Sequence, residues 1–300
     1  MESEAAVKPS PVAAAKEDGR ADDALRQRLH SMWRGVAKAW GDNADYIDAR
    51  GAAVTARMLE RAALQPGDRV LELACGPGGL GLAASQRVGL AGEVVLSDIS
   101  PEMTAIAAAR AKARGLANVS TLILDAERIA QPDAAFNVVL CREGLMLVPN
   151  PEAAVREMAR VLRPDGRVVV AVWGPRSRNP WLGAVFDVLS GGFGTPLPPP
   201  GVPHPFSLDS ESRLEAMFVA AGLINIEIEL FETPYIATSP EEWWQRTCAL
   251  AGPVAQKIAA QPENVQRALA ERGKDAIRVF QTPDGLKIPG LSLIASARRG

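Results

Sequence analysis

The apolar run Arg69–Cys75 stops abruptly at Gly76-Pro77-Gly78-Gly79-Leu80-Gly81, and a helical pattern begins there. A strand that is apolar on both faces must be covered on both, so the chain has to cross over through helices rather than turn back in a hairpin. The rest of the sequence agrees. Further strands are predicted at Glu93–Leu96, Val119–Leu124, Phe136–Cys141 and Arg167–Trp173, separated by helices over Leu80–Arg87, Ser100–Gly115, Asn150–Leu162 and Trp181–Leu189. Ser100-Pro101-Glu102 carries three helix-start signals in a row: a capping hydroxyl, a proline at the first helical position and an early acid. Strands alternating with helices at this spacing predict an α/β fold with a parallel sheet.

Composition narrows the function classes. Thirty-three basic and 35 acidic residues leave a net charge of −2, which argues against a broad basic face for nucleic acid. Three scattered cysteines and two histidines offer neither a disulfide framework nor a metal cluster. No apolar run is long enough to span a membrane, and the first residues lack the apolar stretch of an export signal. A cytoplasmic location is therefore expected.

The glycine loop satisfies G-x-G-x-x-G, and Asp98 lies twenty residues beyond Gly78 at the tip of the next strand. Glycines let a ligand approach the backbone, and a carboxylate there can accept two hydrogen bonds from a ribose diol. Either NAD or S-adenosylmethionine fits those two features. Glu72, inside the first strand, favours the second, because its charge repels a pyrophosphate and attracts an ammonium or sulfonium. Asp125-Ala126 ends the third strand, where a carboxylate can accept from an adenine amino group.

Val70-Leu71-Glu72-Leu73-Ala74-Cys75-Gly76-Pro77-Gly78-Gly79, Ser97-Asp98-Ile99-Ser100-Pro101-Glu102-Met103, Asp125-Ala126-Glu127, Phe136–Cys141 and Leu162-Arg163-Pro164-Asp165-Gly166-Arg167 stand in the order and spacing of class I S-adenosylmethionine-dependent methyltransferases. The chain resembles that family, in its methyltransferase type 11, quinone C-methyltransferase-like small-molecule subgroup. The resemblance implies a Rossmann-like seven-stranded sheet with N-terminal helices and a helical insertion before the last strand. It implies S-adenosylmethionine as cofactor: Glu72 near the ammonium; Ala74, Cys75, Gly76 and Gly78 under the methionine portion; Asp98 on the ribose; Ile99 and Met103 against the adenine; Asp125 and Ala126 at its edge; Cys141 and Arg142 bordering through the backbone. Ala74 replaces a glycine usual in the family, and so does Asp165. Gly144-Leu145-Met146-Leu147 stands where the quinone enzymes usually carry Gly-Leu-Arg-Asn, so methyl transfer is expected without a quinone precursor being implied.

The expected organisation is a disordered tail over 1–28, a helical flap over 29–64, the core over 65–237, a helical lid over 238–279 and the closing strand over 280–300. Glu143 and His204 are the candidate bases; Trp40, Tyr46, Met146, Trp243 and Trp244 are candidates to line the acceptor site. His30, beside the tail, is expected to play no part. Arg246 is the only base between Thr238 and Leu250, which points to a small acceptor without strong charge, apolar or aromatic, methylated on carbon or oxygen. The alternatives are a nicotinamide-dependent oxidoreductase using the same loop, and a cofactor-binding protein without catalysis.

Overall fold

The structure, a computed structural model, describes residues 11–300. Three helices lead in: α1 (Pro11–Asp42), α2 (Ala44–Arg50) and α3 (Ala52–Ala62). The core follows as β1 (Arg69–Glu72), α4 (Gly79–Val88), β2 (Glu93–Asp98), α5 (Pro101–Ala113), β3 (Val119–Ile123), β4 (Phe136–Arg142), α6 (Pro151–Val161), β5 (Leu162–Trp173), α7 (Pro180–Phe193), α8 (Glu211–Ala220) and β6 (Leu223–Glu232). Then come β7 (Tyr235–Ala237), α9 (Pro240–Leu250), α10 (Pro253–Ala259), α11 (Glu263–Ile277), β8 (Gln281–Thr282), β9 (Gly285–Ile288) and β10 (Leu291–Arg299). The main sheet has seven strands in the order β3-β2-β1-β4-β5-β10-β6, with β10 antiparallel to both its neighbours. This is the Rossmann-like seven-stranded sheet expected.

Period-two alternation along the strands sorts the core into two layers. On β5, Val168, Val170 and Val172 join the cluster built with α6, α7 and α8, whereas Val169 and Ala171 join the one built with α3 and α4. Strand order reverses beside β1, and the crevice at the carboxyl ends of β1 and β4 is where open α/β sheets hold ligands.

Three expectations change. The stretch expected to be a tail is helical from Pro11 (residues 1–10 lie outside the described residues). Ala, Arg, Lys and Glu favour helix strongly enough without an apolar period. Farther along, Arg26, Leu29–His30, Trp33, Val36–Ala37 and Trp40 recur every three or four residues. Val36 and Ala37 pack with Met103, docking α1 on α5. Next, the strand expected to start at Arg167 begins already at Leu162 as β5, with Asp165 at φ 60° and Leu162 paired to Phe136. Finally, the predicted last strand is two strands. Pro289–Gly290 separates β9, which pairs with β7 and β8 in a second, three-stranded sheet, from β10 in the main one. Buried Asn179 ties that junction: its Oδ1 accepts from Leu291 N (3.0 Å) and Trp181 Nε1 (3.2 Å), and its Nδ2 donates to Leu291 O (3.0 Å).

Candidate active site

Two adjoining cavities open at the carboxyl ends of β1, β2 and β4. The smaller, about 120 Å³, is walled by Ala74–Pro77 of the glycine loop, Glu72, Asp98, Ile99, Met103, Asp125 and Ala126. The larger, about 330 Å³, is walled mainly by aromatic and aliphatic side chains. Trp33, Trp40, Ile47, Arg142, Glu143 and Leu147 line both.

Local backbone geometry makes the smaller cavity. Ala74 adopts φ 50°, Gly76 φ 52° and Gly78 φ 86°, so the loop folds tightly from the strand end into α4. Ala74 holds a left-handed conformation at some cost to an L-residue, of order 1–2 kcal/mol. A Cβ on Gly78 would lie 3.0 Å from Leu96 Cδ1 and 3.1 Å from Ala107 Cβ, so that glycine serves close helix–strand packing rather than the wall. Trp40 lies over Gly76. Arg110 holds the loop from outside, donating to Pro77 O (2.7 Å) and to Asp48 Oδ2 of α2 (2.6 Å).

Carboxylates dominate the charge. Glu72 is 2% exposed; its Oε2 accepts from Gly81 N at 2.8 Å, and burial pushes its pKa up to about 8 despite the nearby Arg142 charge. Asp98 accepts from Gly76 N (2.9 Å) through Oδ2 and from Ser100 N (2.9 Å) through Oδ1. Burial raises its pKa, and these backbone donors oppose the rise. A carboxylate has about four lone-pair sites, so these backbone donors still leave room for a ligand. Asp125 Oδ1 accepts from Glu127 N (2.9 Å). Arg26 of α1 pairs with Glu127, and its Nε stands 3.8 Å from Asp125 Oδ2. With Glu143, five acids among the described residues line this cavity against Arg26 and Arg142. Two buried ring nitrogens on the wall, His30 Nε2 and Trp40 Nε1, have no hydrogen-bond partner among the described residues. Acid-rich walls and unsatisfied polar groups suit a polar ligand with positive charge and repel a pyrophosphate.

Glu143 stands at the junction. Its φ of 56° turns it out of line after β4, and its N donates to Ala171 O (2.7 Å). Burial raises its carboxyl pKa, while Arg142 and Arg50 pull it down. Arg142 donates to Thr55 Oγ1 at 2.6 Å rather than to a surface carboxylate. The larger cavity takes Tyr46, Met146, Trp173, Trp181 and Tyr235 into its wall, with Thr247 and Arg246 of α9. Tyr46 and Tyr235 share a hydroxyl contact of 2.5 Å. His204 also lines it, but its Nδ1 already accepts from Phe206 N (3.1 Å), which leaves the proton on Nε2. Burial lowers its pKa further, so the ring is a neutral donor there, not a free base.

The other residues expected at the site divide. Ala74, Cys75, Gly76, Ile99, Met103, Ala126 and Arg142 reach the smaller cavity. Gly78 and Cys141 lie behind its wall; Cys141 is 2% exposed in the core. Trp243 and Trp244 line neither cavity. Trp243 is fully buried and donates its Nε1 to Trp181 O (2.9 Å), and Trp244 packs over Gly273 of α11. The next turn of α9 presents Arg246, Thr247 and Leu250 instead, and α10 adds Val254. No residue of α11 reaches the wall, so only part of the expected lid covers the cavity. Sequence reasoning also missed Arg26, His30, Trp33 and Arg50. The three-to-four-residue stripe along α1 was the signal for the first three.

Residues 70–166 match the family model described as a methyltransferase domain. The chain is 40% identical over 136 residues, 45% of its length, to the ubiquinone/menaquinone biosynthesis C-methyltransferase of Azotobacter vinelandii, and 36% identical over 133 residues to that of Hydrogenovibrio crunogenus. It spans about half the length of these curated relatives, 53% and 52%. Among solved structures, the YcgJ protein from Bacillus subtilis superposes with a TM-score of 0.57 at 21% identity, over 82% of this chain and 97% of that one. Phosphoethanolamine N-methyltransferase 2 from Haemonchus contortus gives 0.52 at 17% identity, over 82% and 52%. Motif order, sheet topology and these likenesses agree: the chain carries a class I S-adenosylmethionine-dependent methyltransferase domain.

Proposed function

We propose that the chain transfers a methyl group from S-adenosylmethionine to a small aromatic or apolar acceptor, in the cytoplasm. One observation carries the reading: an acid-walled cavity built from the glycine loop meets an aromatic-walled cavity at Arg142 and Glu143. The curated relatives named above are C-methyltransferases, which supports the same class of chemistry.

Glu72 would face the ammonium, Asp98 the ribose hydroxyls, and Asp125 with Ala126 the adenine edge. When bound, S-adenosylmethionine supplies an electrophilic methyl carbon on a sulfonium, whose departing thioether needs no proton. The protein's work is therefore alignment and exclusion of water. Trp33 and Trp40 close one side of both cavities; their rings meet edge-on at 5.9 Å. Glu143 would take the acceptor's proton as the acceptor atom bonds the methyl carbon. Its raised pKa makes it a stronger base than an exposed carboxylate.

Asp98→Ala should weaken binding of S-adenosylhomocysteine by about 2 kcal/mol, the worth of hydrogen bonds to a charged acceptor. Calorimetry on the folded variant measures this, and unchanged affinity would take Asp98 out of the site. Methyl-labelled S-adenosylmethionine with a panel of phenols, enols and aryl acids should yield a labelled product. Cofactor binding with no product across the panel would favour the non-catalytic alternative.

A further inference from the structure

Arg50, the last residue of α2, lies among three aromatic rings. Its guanidinium carbon is 4.2 Å from the ring centroid of Trp181, 5.1 Å from Tyr235 and 5.2 Å from Trp173. Trp181 and Tyr235 stack at 5.4 Å, and Trp173 meets Trp181 edge-on at 5.0 Å, so the three rings pack on one another. All four side chains line the larger cavity. Among the described residues Arg50 makes ring contacts but no hydrogen bond or ion pair. The other arginines of the wall differ: Arg28, also without such a partner among the described residues, is exposed to solvent. Arg246 stacks on Tyr46 but also holds Glu242 Oε1 (2.9 Å) and Asn43 Oδ1 (3.1 Å), and Arg142 holds Thr55.

A half-buried guanidinium with five N–H donors loses hydration that ring faces replace only in part. Its donors lie in the guanidinium plane, the geometry that takes a carboxylate edge-on through two parallel hydrogen bonds. The remaining charge favours an anion as well: Arg28, Arg142, Arg246 and Lys257 line the same cavity, with Glu143 as its only acid among the described residues. The near-neutral balance of the whole chain conceals this local excess.

We infer that the larger cavity takes an aromatic carboxylate as acceptor, its carboxylate held by Arg50 inside the cage of Trp173, Trp181 and Tyr235. This rests on the methyl-transfer reading for the word acceptor, and it replaces the sequence's expectation of an acceptor without strong charge. Glu143 lines the same cavity and feels the Arg50 charge.

The test is calorimetry on the full chain saturated with S-adenosylhomocysteine, using 2-naphthoate, its neutral isostere 2-naphthamide, and 2-naphthyl phosphate. The naphthoate should bind at least about tenfold tighter than the amide, and Arg50→Gln should erase that preference while leaving S-adenosylhomocysteine affinity within about twofold. Arg50→Lys, which keeps the charge but not the fork, should retain part of it and guards against misfolding of the glutamine variant. Equal binding of naphthoate and amide, a preference surviving Arg50→Gln, tighter binding of the phosphate, or no naphthoate binding up to millimolar concentration would each overturn the assignment. S-Adenosylhomocysteine affinity on the same samples keeps the two readings apart. A normal cofactor titration without carboxylate preference sinks this inference alone, whereas naphthoate preference without cofactor binding keeps the anion site and removes methyl transfer.

Discussion

Replacing Glu72 with glutamine should abolish the pH dependence of cofactor binding. With a pKa of about 8, the wild-type carboxyl is largely protonated at pH 6 and must lose its proton to pair with an ammonium. Affinity for S-adenosylhomocysteine should therefore rise by up to about tenfold per unit between pH 6 and 8, with proton release on binding. Glu72→Gln should bind about tenfold more weakly than wild type at pH 8, and its affinity should stay flat with pH. Calorimetry in two buffers of different ionisation enthalpy reads both. The same group sets a stability trend of known sign. Its folded pKa lies above the unfolded value, so the folded state holds the extra proton between about pH 4.5 and 8, and stability falls as pH rises through that window. The free variant should lose this fall and be more stable than wild type at pH 8 by more than about 1 kcal/mol. A free variant that melts lower at pH 8 would mean that the buried carboxylate is held by partners stronger than Gly81 N.

Glu143→Gln should lower turnover by about a hundredfold or more with a hydroxyl acceptor, while the cofactor dissociation constant changes by less than about threefold. The wild-type rate should rise with pH through the raised Glu143 pKa, and the variant should lose that limb. His204→Gln, by contrast, should leave that limb in place, because His204 Nδ1 is occupied by Phe206 N. Wild-type turnover in Glu143→Gln would remove the residue from the reaction.

The smaller cavity was legible because its chemistry is local in sequence. Glu72, Asp98 and Asp125 each sit at the end of a strand, and a parallel sheet gathers strand ends at one edge. The larger cavity was not, because it is assembled from segments far apart. Arg50, Trp173, Trp181 and Tyr235 come from α2, β5, α7 and β7, and no spacing rule joins them. Trp243 and Trp244 show the limit of a helical pattern: aromatics mark a face that packs, and here that face meets α7 and α11 while the charged and small residues of the next turn meet the cavity. The second sheet escaped for a related reason. β8 is two residues long, and Pro289–Gly290 reads equally as a bulge or as a break between sheets.

His30 is the sharpest instance of position misleading. Nearness to the chain start suggested irrelevance, yet its helix lies across the crevice and puts it on the cavity wall beside Trp33. The stripe from Arg26 to Trp40 has one physical meaning, a helix face with something to cover, and the crevice above the glycine loop is what it covers.

The acid-walled cavity is expected to select a cation-bearing nucleoside over a pyrophosphate dinucleotide. Parallel titration of the chain with S-adenosylmethionine, S-adenosylhomocysteine and NADH tests it most directly. Micromolar binding of the first two, weakened by Asp98→Ala, with no heat from NADH, is the expected result; micromolar binding of NADH alone would contradict the account.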